Sequence, residues 1–161
     1  MRTLEGLPDG SGLRVAIIAS RFDKANVVDA LIEGAVSTAL ECGVADESLD
    51  LVRVPGAFEL PAAARRLAAS GRYHALACVG AVIRGETSHF DYVAGEAARG
   101  IADASSEFGL PVTFGVITAE NDDQARARAG ADRNMGRDAM LAAVEMAMLW
   151  ARLAEEGEGS D

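Results

Sequence analysis

Residues 75–93 read ALACVGAVIRGETSHFDYV, and this stretch decides the fold. Its first part, Ala75–Ile83, is an unbroken apolar run. A strand with one wet face alternates apolar and polar side chains. A run without alternation predicts a strand covered on both faces, as in the middle of a parallel sheet. Arg84-Gly85 ends the run, and Ser88-x-x-Asp91 has the pattern of a capping box that opens a helix. Beyond it, Phe90, Val93, Ala94, Ala97, Ile101, Ala104 and Phe108 recur every three or four residues, which is the apolar stripe of one helix. The stretch is therefore strand, polar turn, helix, with His89 in the first helical turn.

Ligands of open α/β sheets sit in the crevice beyond the carboxyl ends of the strands. Helix N-termini add free N–H groups and partial positive charge that suit a phosphate. Gly85, Glu86 and Thr87 occupy that turn: glycine lets a ligand approach the backbone, and Thr87 adds a hydroxyl donor. An imidazole at His89 can take or give a proton near neutral pH. Capping or packing is the competing role for His89.

Working outward, the same alternation of element types continues. Leu13–Ser20 (LRVAIIAS) predicts a first strand, followed by Arg21-Phe22-Asp23. A helix is expected from about Lys24 to Cys42, striped by Val28, Leu31, Ile32, Ala35, Val36 and Ala39 and stopped at Gly43. Leu49–Val54 is a second strand, Pro55–Glu59 breaks it, and Leu60–Ser70 reads as a helix ending at Gly71. After the central strand and its helix come a strand at Pro111–Thr118 and a short helix capped by Asn121-x-x-Gln124 that ends before Gly130. The last helix runs from Gly136 to about Ala154. The fold class is α/β: one three-layer domain over 13–154, with a four-stranded parallel sheet flanked by helices. Residues 1–12 form an N-terminal arm in which Thr3–Glu5 is either a short strand, added to a neighbouring subunit's sheet, or a loose tail. Residues 155–161 (EEGEGSD) read as a disordered acidic tail. Ala139–Ala151 is apolar almost all round, with Glu145 its one charge. Such a helix needs cover from a second direction, from another subunit or from a deep core of its own.

The totals limit the function classes. A net charge of −10 with no basic run argues against a nucleic-acid surface. The two cysteines, Cys42 and Cys78, form no CxxC pair and read as reduced thiols. With no transmembrane-length run and no signal-peptide core, the expectation is a cytoplasmic protein with no membrane partner. His74 and His89 are the only histidines and lack ligand spacing, so no metal is expected.

Three strand ends carry unusual groups. Phe22 follows the first strand, Gly56-Ala57-Phe58-Glu59 the second, and Val82-Ile83 with Gly85 to His89 the third. An exposed Phe beside a polar turn wants a flat partner. Glu59 can accept from sugar-like hydroxyls or serve as helix N-terminal charge. Arg128, with Arg126 nearby, suits a helix C-terminus, and a guanidinium is also the best side-chain partner for a phosphate.

The blocks PGAFELP, GAVIRGETSHFDYV, FGVITAEN, QARARAG and AVEMAML resemble the lumazine synthases, and the resemblance runs from about Leu13 to Ala154. It implies a flavodoxin-like fold and a condensation of 5-amino-6-(D-ribitylamino)uracil with 3,4-dihydroxy-2-butanone 4-phosphate. The product would be 6,7-dimethyl-8-ribityllumazine, with phosphate and water released and no cofactor. By matching, His89 is the general acid/base and Phe22 stacks on the pyrimidine. Ala57, Phe58 and Glu59 bind the ribityl chain, and Val82 and Ile83 offer backbone groups. Gly85, Glu86 and Thr87 cradle the phosphate with Arg128 as counter-charge. Phe114 matches an aromatic contributed by a neighbouring subunit. The resemblance also implies a homo-oligomer, a pentamer or a 60-subunit icosahedral shell. The chain departs from the pattern at Met135, where the family usually has Lys, at the shorter loop before it, and at Asp23, where Asn is common. The alternatives are a catalytically weak shell-forming or flavin-binding paralogue, or a riboflavin synthase acting on the lumazine.

Overall fold

Val15–Ser20 (β1) pairs in parallel with Leu49–Val54 (β2) on one side and with Ala75–Ile83 (β3) on the other. Val112–Ala119 (β4) pairs in parallel with β3, so the sheet order is β2-β1-β3-β4. The order is that of a flavodoxin-like sheet. The computed structural model describes residues 1–158. Five helices complete it: α1 (Val28–Glu41), α2 (Leu60–Ala68), α3 (His89–Phe108), α4 (Asp122–Ala127) and α5 (Met135–Glu158).

The continuous apolar strands have cover on both faces, as their composition requires. Val15, Ile17, Ala19, Ala75, Ala77 and Val79 point to α1 and α5, where they meet Leu31, Ala35, Met140 and Val144. Ala16, Ile18, Leu76 and Cys78 point the other way, to Leu60 and Ala64 of α2 and Ala97, Ile101 and Ala104 of α3. Burial pushes the Cys78 thiol up to about 12, so it behaves as a small apolar side chain. The helix–helix contacts are close. A Cβ at Gly136 would meet the Leu31 carbonyl oxygen at 2.0 Å, and one at Gly100 would meet Pro61 at 2.7 Å.

Several boundaries differ from the expectations. The first helix starts at Val28, not near Lys24, because the Asp23 carboxylate accepts from the N–H groups of Val27 (3.0 Å) and Val28 (2.7 Å). Residues 21–27 therefore stay a turn, with Asn26 at φ 54°. The capping box at Ser88 does not form. The Ser88 side chain caps nothing, and Asp91 instead pairs with Arg84 at 3.1 Å. The guanidinium outcompetes a backbone N–H for the carboxylate. The cap at Asn121 does form, its side-chain oxygen accepting from Gln124 N at 2.9 Å. The chain leaves α3 at Gly109, whose left-handed φ of 58° closes the helix.

The two termini meet along α5. Thr3–Glu5 forms no strand within the chain. The arm lies along α5, with Arg152 donating to the Glu5 carbonyl, Arg2 paired with Glu156, and Gly6 packed so closely on the helix that a Cβ would overlap the Glu145 carbonyl. The helix α5 runs to Glu158 rather than ending at about Ala154, so the stretch expected to be disordered from 155 begins as helix. Glu155 and Glu156 are good helix formers, and the pair to Arg2 holds Glu156. Residues 159–161 of the expected tail lie outside the described residues.

The all-round apolar helix finds cover from two directions. Met140, Ala143, Val144 and Ala147 are buried against the sheet and α1. Ala142, Met146 and Leu149 line a groove with Leu4 and Gly6 of the arm, while Trp150 and Leu153 stay exposed.

Candidate active site

The carboxyl ends of β1, β2 and β3 meet at one cleft of about 250 Å³. Backbone hydrogen bonds continue past the strand ends to shape it. Arg21 N donates to Val54 O at 2.8 Å and Phe22 N to Pro55 O at 2.9 Å, which sets Phe22 beside the turn at Gly56. Gly56-Ala57 then enters a single 3-10 turn, Ala57–Glu59, that leads into α2. On the other side, β3 ends in Val82 and Ile83, and the turn through Gly85 and Thr87 opens α3 at His89.

Seven of the residues singled out from the sequence line this cleft together: Phe22, Ala57, Val82, Ile83, Gly85, Thr87 and His89. Phe22 is 71% exposed, a large apolar ring held at the mouth with no protein partner covering it. His89 is also exposed, in the first turn of a long helix. Its N–H donates to Thr87 Oγ1 at 3.4 Å, which leaves that hydroxyl able to donate onward.

The others lie elsewhere. Glu86 is an exposed turn residue between two that line the cleft. Phe58, 56% exposed, faces a groove between α2 and α3. Glu59 turns one carboxylate oxygen back to Gly56 N at 2.9 Å. In this state it caps its own turn, the structural alternative for that residue. Phe114 and Arg128 are not among the residues that line the cleft. Phe114 lines a groove with Arg133, Met135 and Asp138, and Met135 N donates to the Arg128 carbonyl at 2.9 Å. The Arg128 guanidinium donates to Gln124 O at 2.9 Å and has no carboxylate partner among the described residues.

Arg84, Lys24, Phe90 and Val93 complete the neighbourhood and were not singled out from the sequence. Lys24, Phe90 and Val93 line the cleft. Arg84 ties three elements at its rim. It pairs with Asp91 of α3 at 3.1 Å and with Glu120 after β4 at 2.8 Å, and it lies 4.4 Å from the centroid of the Phe90 ring. These contacts hold the Arg84 pKa above its usual value, first through the hydrogen bond to Asp91 and then through that to Glu120. Only tertiary neighbours reveal this role, because Glu120 is remote in sequence. Among the described residues no group of three His, Cys, Asp or Glu side chains could hold a metal.

A family model described as 6,7-dimethyl-8-ribityllumazine synthase matches residues 12–151. The chain belongs to the 6,7-dimethyl-8-ribityllumazine synthase family. A relative bearing that name in Gemmatimonas aurantiaca is 50% identical over 153 residues, covering 94% of this chain and 93% of the relative. Another with the same name, in Nitratidesulfovibrio vulgaris strain Miyazaki F, is 48% identical over 146 residues, covering 90% of this chain and 93% of that relative. The matched span of this lumazine synthase family member contains every residue of the cleft.

Proposed function

We propose that this chain condenses 5-amino-6-(D-ribitylamino)uracil with 3,4-dihydroxy-2-butanone 4-phosphate to 6,7-dimethyl-8-ribityllumazine, phosphate and water, a step of riboflavin biosynthesis. The observation that carries the reading is the gathering of Phe22, Ala57, Val82, Ile83, Gly85, Thr87 and His89 from three strand ends into one cleft. Phe22 stacks on the pyrimidine, and the backbone groups around Ala57, Val82 and Ile83 orient it. Phe58 and Glu59 continue toward the ribityl chain; Glu59 Oε2 exchanges the Gly56 N–H for a ligand hydroxyl. Gly85, Glu86 and Thr87, at the N-terminus of α3, present backbone N–H groups and a hydroxyl to the phosphate.

The chemistry is imine formation, phosphate elimination and ring closure. Each step moves a proton, and His89 is the imidazole in the cleft that can carry it. Orientation of two reactants supplies the rest of the rate. No metal or organic cofactor is needed for these steps.

The cleft is complete only between protomers on this reading. Phe114 and Arg128 of one protomer close the cleft of the next, with Arg128 as counter-charge to the phosphate. The exposed Phe22 mouth, the exposed end of α5 and the uncovered edge strand β2, with Leu51 exposed, all fit burial in a cytoplasmic homo-oligomer, a pentamer or a shell of such pentamers. The test is the condensation assay with both purified substrates, followed by absorbance of the lumazine. Product formation in the presence of a strong chelator is expected; binding of riboflavin with no product would overturn the reading.

A further inference from the structure

We propose that Lys24 is the cation that receives the anionic group of the substrate within the same protomer that carries His89. The inference rests on the proposed reaction, in which a phosphorylated substrate enters this cleft.

The chain has 14 arginines and one lysine (its Lys+Arg total is 15), and that lysine is Lys24, which lines the cleft together with Gly85, Thr87 and His89. The turn that carries it is pinned on both sides. Phe22 N is bonded to Pro55 O at 2.9 Å, and the Asp23 carboxylate is held by Val27 N and Val28 N. The Lys24 side chain itself is exposed and has no hydrogen bond or ion pair among the described residues.

Of the other cations at this end of the sheet, Arg21 has no side-chain partner among the described residues but does not line the cleft, and the next two are neutralised. Arg84 is paired with Asp91 and Glu120, and Arg126 with Asp122 and Asp123. Arg128 does not line the cleft of its own protomer. Lys24 is the one Lys or Arg side chain that lines the cleft, and it is uncommitted among the described residues. It stands where the backbone N–H groups of the α3 N-terminus already favour an anion. A flexible ammonium with three donors adapts to a phosphate whose position changes as it leaves. In a chain of net charge −10, a local cation also offsets the repulsion that a dianion meets on approach.

The test uses the full chain and three variants, Lys24→Met, Lys24→Arg and Arg72→Met. Arg72 lies before β3, at the opposite end of the strands, so its loss changes net charge by the same amount far from the cleft. The KM for the butanone phosphate should rise roughly 10-fold in Lys24→Met, the loss expected for a hydrogen bond to a charged group. It should largely recover in Lys24→Arg and stay unchanged in Arg72→Met, with the KM for the pyrimidine moving in none of them. An unchanged KM in Lys24→Met, or an equal rise in Arg72→Met, would overturn the proposal. A second arm needs no turnover. Trinitrobenzenesulfonate labels the Lys24 amine and the N-terminal amine, and inorganic phosphate should slow labelling at Lys24 only, read by peptide mass. Protection without any condensation by the wild-type chain would sink the proposed reaction and leave the anion site standing. Condensation without protection would sink the anion site and leave the reaction.

Discussion

His89 shows how much one residue depends on its address. The side chain is an ordinary exposed imidazole; its meaning comes from standing at the start of α3, against Thr87 and within reach of the Phe22 ring's cleft. Replacing it by Ala removes the proton carrier and leaves the helix, since α3 is held by Ala97, Ile101 and Ala104 in the core. Turnover of His89→Ala should fall roughly 10²-fold, the lower end for loss of a general acid/base. The thermal midpoint should barely change. Single-turnover rates beside a melting curve check both. The sequence marks His89 by a capping pattern that is not the one used: Ser88 caps nothing and Asp91 serves Arg84. The expected position of the residue survives because the apolar stripe fixes the helix independently of how its first turn is capped.

At the scale of elements, close approach decides which substitutions are tolerated. Gly136 begins α5 where it presses on α1, and a Cβ there meets backbone atoms of Leu31 that cannot move aside. Gly136→Ala should destabilise the chain by about 1–3 kcal/mol through overpacking. Gly95, mid-helix in α3, is exposed and has nothing within 4 Å of an added Cβ. Gly95→Ala should stabilise by roughly 0.5–1 kcal/mol through helix propensity. Denaturant midpoints of the two variants test the pair.

Asp50 on the edge strand β2 carries one part of the pH dependence. Tyr73 Oη donates to Asp50 Oδ2 at 2.7 Å, and this hydrogen bond, ahead of those from Arg14, holds the Asp50 carboxyl below its usual range. A carboxylate with a lowered folded pKa adds stability that is present above its unfolded pKa and lost as pH falls through the folded one. The wild-type chain should therefore lose stability from about pH 4 downward, by about 1 kcal/mol or less from this half-exposed group. Asp50→Asn should be less stable at neutral pH and show a flatter acid profile in thermal melts.

At the scale of the whole molecule, the division of the site is the test. His89 and Phe22 line the cleft, whereas Arg128 does not and Phe114 lines a separate groove. If one protomer completes the next, His89→Ala and Arg128→Ala chains assembled together should recover activity that neither has alone at low butanone phosphate. Some clefts then combine a native His89 with a native Arg128. Recovery absent from mixtures that sedimentation shows to be mixed assemblies would place both residues in one protomer's site.

The order of residues along the chain dictates the architecture and the strand ends that carry chemistry. The β3 run without alternation and the three-or-four-residue stripes state which faces must be buried, and burial of apolar surface is the main driving force of folding. The bounds of β2 and β3 match the expected ones to the residue for that reason. Folding in three dimensions sets everything that depends on groups distant in the chain. Arg84 is drawn to Glu120, the arm lies along α5, and Lys24 lines the cleft without a partner among the described residues. A charge's partner is a matter of ångströms in space, and periodicity along the chain carries no record of it.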